Sequence, residues 1–365
     1  MSVSRSRRER LLAAALVALA GLVVYWLAVD LFPYHSVNDD EGVYLAQAAM
    51  LLEGKLFLHP GALGELVRPW FFVADTAGGD PGTTRSTRPS PRASSPSGNS
   101  SGTRTSCSAS SPPATPRWCT RSRRRRSTVG RGLSVVALVG APLFLFTSAV
   151  FLPYAPTTLL NLAFAVAYVR TMRRNSPRWG LVAGAATGLA FFARPYTAVC
   201  FATPFIAHAL GSLWWTRGSD RFRPTVVRLL AVAGVGAAGV GLTLAYNAVV
   251  TGDPLLFPYK AFGPNDGLGF GHHELLGYDR TYTPVLAAET TVRLLRTLTT
   301  EWTVAGPAGT LLALVGLATL PTDRDALTDP ALSAPALRAL VFGLVPVVVL
   351  GNAYFWGTLN GQRTA

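Results

Sequence analysis

The chain has 365 residues, of which 49% are hydrophobic and only 14% charged, with a positive mean hydropathy of +0.31. This is too apolar and too poor in charge for an ordinary soluble domain and defines a polytopic membrane protein. The net charge of +14 suggests an anionic partner, but 11 of the 33 basic residues, all Arg, crowd into positions 81–131, where no acidic residue occurs. The rest of the chain holds 22 basic against 19 acidic groups, so a nucleic-acid partner loses its support and the lipid bilayer remains. Cys107 and Cys119 share that basic tract and Cys200 lies in an apolar run, which gives neither a disulfide framework nor a cysteine metal site.

The N-terminal "SRSRRER" precedes an apolar run from Leu11 to Val29. The run is long and no small-residue cleavage site follows it, so it reads as a first transmembrane helix with its Arg cluster cytoplasmic. "HSVNDDEGVYLAQAAMLLEGKLF" comes next. From Tyr44 its apolar residues recur at 44/45, 48, 51/52 and 56, the spacing of an amphipathic helix lying on the outer membrane surface. Asn38 or Asp39 as N-cap places Asp39, Asp40 and Glu41 in the first turn, where free N–H groups and the helix dipole favour ionised carboxylates. Such carboxylates serve as a general base or a metal ligand, or only as caps.

After the Ser/Pro/Arg-rich tract, apolar runs of helix-spanning length recur near 133–153, 155–170, 179–194, 196–215, 226–250, 303–320 and 338–355. "RTMRRNSPR" (170–178), "RGSDRFR" (217–223) and the loop flanked by Arg324 and Arg338 mark the cytoplasmic side. Alternation then gathers Phe32 to about Asp75, "FLPYAP" (151–156), "ARPY" (193–196) and the loop 251–302 on the outer side. Arg194, at the end of an apolar helix, either snorkels, pairs or binds an anion such as a phosphate. The loop 251–302 is rich in Gly, Pro and aromatics, which predicts an ordered, functional loop. It carries Lys260, Asp279 and the adjacent His272 and His273, which cannot share one helix face.

On these residues the chain resembles the GT-C membrane glycosyltransferases, in particular the dolichyl-phosphate-mannose protein mannosyltransferase and aminoarabinose transferase group. That group opens with one transmembrane helix and an outer loop carrying an Asp-Glu pair ahead of a surface helix, as "DDEGVYLAQAAMLLEGKLF" does; the likeness reaches "VRPWFF" and resumes from Leu133. The resemblance implies an all-α polytopic bundle in the cell membrane, with a cytoplasmic N-terminus. It also implies inverting transfer of a mannose-like sugar from a polyprenyl phosphate to a protein or glycan hydroxyl on the outer face. By the family pattern Asp40 is the base, with Asp39 the alternative, and Glu41 positions the acceptor or a divalent metal ion. Arg194 and Lys260 hold the lipid phosphate, and Tyr154, Tyr196 and Tyr259 stack on sugar or line the pocket. His272 and His273, read from the loop itself and not from the resemblance, hydrogen-bond substrate, form plain surface or, less favoured, bind a metal. The same resemblance implies a chain that continues beyond "FWGTLNGQRTA".

Three segments follow: 1–74 with the first helix and acidic loop, 75–132 as the low-complexity tract, and 133–365 as the remaining bundle. Where the family has its second and third helices this chain has the tract, and a one-base frameshift in a G+C-rich gene accounts for that. With G+C-rich codons chosen for each residue, reading one base back can turn "TRSTRPSP" (84–91) into YPKYAPVP and "SSPSGNSSG" (94–102) into VVAVGELVG, both membrane-like. Resequencing tests this expectation; an unambiguous read showing this frame intact in an expressed, active protein overturns it in favour of a genuine polar loop. The rival functional readings are a polytopic transporter or flippase and an inactive remnant of a glycosyltransferase.

Overall fold

The computed structural model describes residues 2–32, 39–59, 72–74, 84–86, 141–266, 268–275, 278–318 and 332–355. Most of the low-complexity tract lies outside them, and so does most of the frameshift expectation; within the tract only Thr84–Ser86 are described.

The protein is mostly helical. Helix α1 (Ser2–Trp26) runs into a π-helical turn, Leu27–Leu31, and α2 spans Asp39–Leu52. Three short strands, β1 (Phe57–Leu58), β2 (Phe72–Ala74) and β3 (Thr84–Ser86), form an antiparallel sheet in the order β1-β3-β2. The bundle follows as α3 (Pro142–Ala149), α4 (Tyr154–Arg174), α5 (Pro177–Ala193), α6 (Pro195–Thr216) and α7 (Phe222–Thr251). Then come α8 (Pro258–Phe262), a hairpin of β4 (Gly271–Leu275) and β5 (Tyr278–Tyr282), α9 (Pro284–Thr297), α10 (Gly306–Ala318) and α11 (Ala334–Tyr354). The ordered structure expected in 251–302 is there, although the amphipathic helix α9 was not foreseen.

Among the described residues four helical segments are long and apolar enough to cross a membrane: Ala14–Leu31, Pro195–Thr216, Phe222–Thr251 and Ala336–Tyr354. A fifth arises if α3 and α4, bent by 116° at their junction, count as one span. By length and composition this is a multi-pass membrane protein.

Helices α4 and α6 run one way and α5, α7 and α11 the other. Two kinds of boundary set this alternation. Pro195 disfavours helical backbone at Arg194, which adopts φ −150° and ψ 85° and separates α5 from α6. Asn175 caps α4 in the left-handed conformation at φ 51°, which an Asn side chain tolerates. The most extensive packing is between α5 and α7, which approach along glycines at four-residue spacing. Gly184 faces Val232 and Val235, and Gly188 faces Gly236 and Gly239. Small residues at this spacing let two backbones come together where lipid supplies no hydrophobic drive. Around them Phe164, Tyr168, Met172, Ala183, Phe205 and Leu229 form the buried core.

The bundle has two chemically different ends. One gathers the α4–α5 turn, the α6–α7 turn and the start of α11: Arg228 donates to the Met172 and Pro224 carbonyls, to Asn175 Oδ1 and to Thr225 Oγ1, while Arg173 donates to the Leu332 carbonyl at 2.9 Å. The other gathers α2, the start of α4, the α5–α6 break, the hairpin and the end of α11. This grouping is the one that alternation along the sequence predicts.

Candidate functional site

The site is built from the second end. Helix α2 begins at Asp39, so Asp39, Asp40 and Glu41 all occupy its first turn, as the spacing predicts. Asp40 is half-buried. Glu41 is 1% exposed and its Oε1 accepts the Phe151 N–H at 2.7 Å. Farther along, Gln47 Nε2 donates to the Tyr246 hydroxyl of α7 at 3.2 Å, and Tyr246 meets Phe192 edge-on. The helix therefore docks on the bundle through polar groups. Glu41, Val43, Gln47, Ala48 and Met50 are buried, whereas Leu51 and Leu52 of the expected apolar stripe are exposed. The bundle end presents the Phe151 N–H and the Tyr246 hydroxyl, and buried polar groups are matched by such partners. At the far end of α2 the exposed Glu53 carboxyl is held below its usual range by the hydrogen bond and charge of Lys55, 2.7 Å away.

Phe151 sits at the bend between α3 and α4, three residues before Tyr154. The Arg194 guanidinium carbon lies 4.5 Å from the centroid of the Tyr154 ring. Two regions far apart in sequence, the acidic turn at 40–41 and the arginine at 194, thus meet the same bend. A stacked guanidinium keeps its N–H edge available for a planar or tetrahedral oxyanion.

The other predicted residues are placed differently. Tyr196 donates its hydroxyl to the Gly351 carbonyl at 2.6 Å and packs on Phe355, joining α6 to the end of α11. Lys260 turns into its own loop, donating to the carbonyls of Pro264 at 2.5 Å and Asp266 at 2.9 Å, and Tyr259 is half-buried beside it in α8. His272 and His273 lie on β4, where successive side chains alternate faces. His272 is exposed, with Nδ1 3.5 Å from Asp279 Oδ1 across the hairpin, and His273 is buried with Nε2 2.9 Å from the Gly269 carbonyl. Tyr282 donates to the Ala353 carbonyl at 2.7 Å and pins this hairpin to α11. The side chain of Asp39 lies outside the described residues.

Among the described residues no three His, Cys, Asp or Glu side chains gather as a metal-binding group. One Glu41 oxygen is engaged by the Phe151 N–H, and the described residues offer no dedicated all-protein cage.

Sequence reasoning missed Gln47, Tyr246 and the Phe151 N–H. The first two carry a faint signal, a polar residue within an apolar helical stripe; for the third, "FLPYAP" marks the break between α3 and α4 but not which backbone N–H there meets Glu41. No protein-family model, no curated protein and no solved structure matches this chain.

Proposed function

We propose that the protein is a membrane glycosyltransferase that moves a sugar from a polyprenyl phosphate to an acceptor hydroxyl at the α2 end of the bundle, with that end facing outward. The reading rests on the resemblance given above. The observation that carries it is the meeting of the acidic turn of α2 and of Arg194 on one bend, through Glu41 to Phe151 and Arg194 to Tyr154.

In this mechanism the acceptor oxygen attacks the anomeric carbon, its proton passes to the Asp40 carboxylate, and the bond to the phosphate oxygen breaks with its electron pair. The lipid phosphate leaves with added negative charge, which the Arg194 guanidinium stabilises. Glu41, fixed to the Phe151 N–H, orients the turn that carries Asp40. The arginine-rich end, packed by backbone-directed contacts, is then the cytoplasmic face.

The test is a transfer assay with the full chain reconstituted in vesicles and supplied with polyprenyl-phosphate sugars. Turnover that falls by about 10²-fold or more in Asp40→Asn is the expected result. Turnover unchanged in that variant removes Asp40 as the base, and no transfer from any polyprenyl-phosphate sugar removes the reading.

A further inference from the structure

Away from this site, a cleft of about 440 Å³ opens between α6 and α7, backed by α4 and α5. That volume is in the range of sites that hold small ligands. Its floor is Phe164 and Tyr168, and the Tyr168 hydroxyl is already engaged by His208 Nδ1 at 2.9 Å and the Phe205 carbonyl at 3.3 Å. The lining is otherwise apolar but for Thr187, so it suits a hydrocarbon and offers little to water.

The cleft opens sideways. Ile206 and Leu210 on its rim are 51% and 63% exposed, on the flank of a helix long enough to span a bilayer. An occupant therefore enters from the lipid phase.

The charge near the cleft identifies its head group. The lining residues Leu210 and Leu213 lie near the end of α6, and Arg217, which caps that end, has its guanidinium carbon 4.8 Å from the Trp214 ring centroid. Arg221 and Arg223 follow, against a single acid, Asp220. Arginines at the membrane surface attract anionic lipid head groups.

We propose that this cleft binds one acyl chain of an anionic phospholipid, its phosphate held by the arginines of the α6–α7 turn. The inference is independent of the glycosyl-transfer reading, whose phosphate group is assigned to Arg194 at the opposite end of α6.

Native mass spectrometry of the full chain tests it, with phosphatidylglycerol and phosphatidylcholine of identical chains supplied at equal concentration. One phosphatidylglycerol is expected to be retained, preferred at least about fivefold over phosphatidylcholine. The double variant Arg217→Gln/Arg221→Gln, altered only at the turn, should bring the two lipids near parity. Ala209→Phe, which fills the cleft, should lose both; if it does not fold, the double variant decides. Equal retention of the two lipids by the unaltered protein overturns the proposal, as does an unchanged preference in the double variant. A polyprenyl phosphate that displaces phosphatidylglycerol, and is itself lost in Ala209→Phe, assigns the cleft to the donor instead. A second copy of the chain retained in place of lipid likewise overturns it.

Discussion

The Arg194 guanidinium carbon stands 4.5 Å from the centroid of the Tyr154 ring, coupling the break between α5 and α6 to the first residue of α4. The ring holds the cation by its face, so the contact depends on an aromatic at 154 and a planar cation at 194. Arg194→Lys keeps the charge but loses the fork and the stack, and is expected to lower kcat for sugar transfer by about 10²-fold. Tyr154→Phe should stay within about twofold, because the ring remains, while Tyr154→Leu should raise KM several-fold through a less well-held arginine. Steady-state kinetics in vesicles separate these outcomes; equal losses in Tyr154→Phe and Tyr154→Leu would show that the hydroxyl, not the ring, matters.

Glu41 and Asp40 are neighbours to which the proposed function gives different duties, and paired variants distinguish them. Glu41→Ala leaves the Phe151 N–H without its acceptor and should destabilise the fold by about 1–3 kcal/mol. Glu41→Gln retains a carbonyl acceptor and should recover most of that loss. Asp40→Asn is expected to melt like the unaltered protein yet fail in transfer. Thermal unfolding in detergent, read beside the transfer assay, checks both; a strongly destabilised Asp40→Asn would make that residue structural.

Apolar length and Arg-rich turns are strong, local signals, and the first helix, α6, α7 and α11 follow them; of the other runs expected to span, α3 and α4 qualify only as one bent pair, and α5 with 17 residues and α10 with 13 fall short. The break at Arg194 was legible too, since Pro195 disfavours helix at the residue before it. The orientation of α2 was not. Its buried face is chosen by Phe151 and Tyr246, partners 110 and 199 residues distant from Glu41 and Gln47, and no periodicity within α2 encodes them. Lys260 illustrates the same limit: a free-looking cation in the sequence, it is bonded to carbonyls of its own loop. Glycines in "RWGLVAGAATGLAFF" carried a readable small-residue repeat that hydropathy alone passes over.

Arg228 fastens the opposite end. It is 5% exposed and spreads its donors over two backbone carbonyls, an amide oxygen and a threonine hydroxyl, tying α7 to the end of α4. Arg228→Met supplies similar bulk without donors and should cost about 1–3 kcal/mol for the acceptors left unmatched. Arg228→Lys, with a compact ammonium that cannot span the same partners, should recover only part. Melting temperatures in detergent give the ranking, and a Met variant as stable as the original would show that water replaces the guanidinium there.

The α5–α7 seam makes the sharpest steric prediction. A Cβ at Gly184 would stand 2.5 Å from the Val232 carbonyl oxygen and 2.8 Å from Val235 Cβ, and one at Gly239 would collide with the Gly188 backbone. Backbone cannot yield as a flexible side chain does, so the helices must separate. Gly184→Val and Gly239→Val are expected to destabilise by at least about 1–3 kcal/mol, the range for overpacked cores, and to lower the yield of folded protein. Gly241, on the same helix, has nothing within 4 Å of its Cβ position. Gly241→Ala should therefore be neutral or slightly stabilising, since alanine is the better helix former by about 1 kcal/mol. Parallel purification and melting of the three variants tests the seam: if Gly184→Val and Gly241→Ala behave alike, close backbone contact is not what holds α5 to α7.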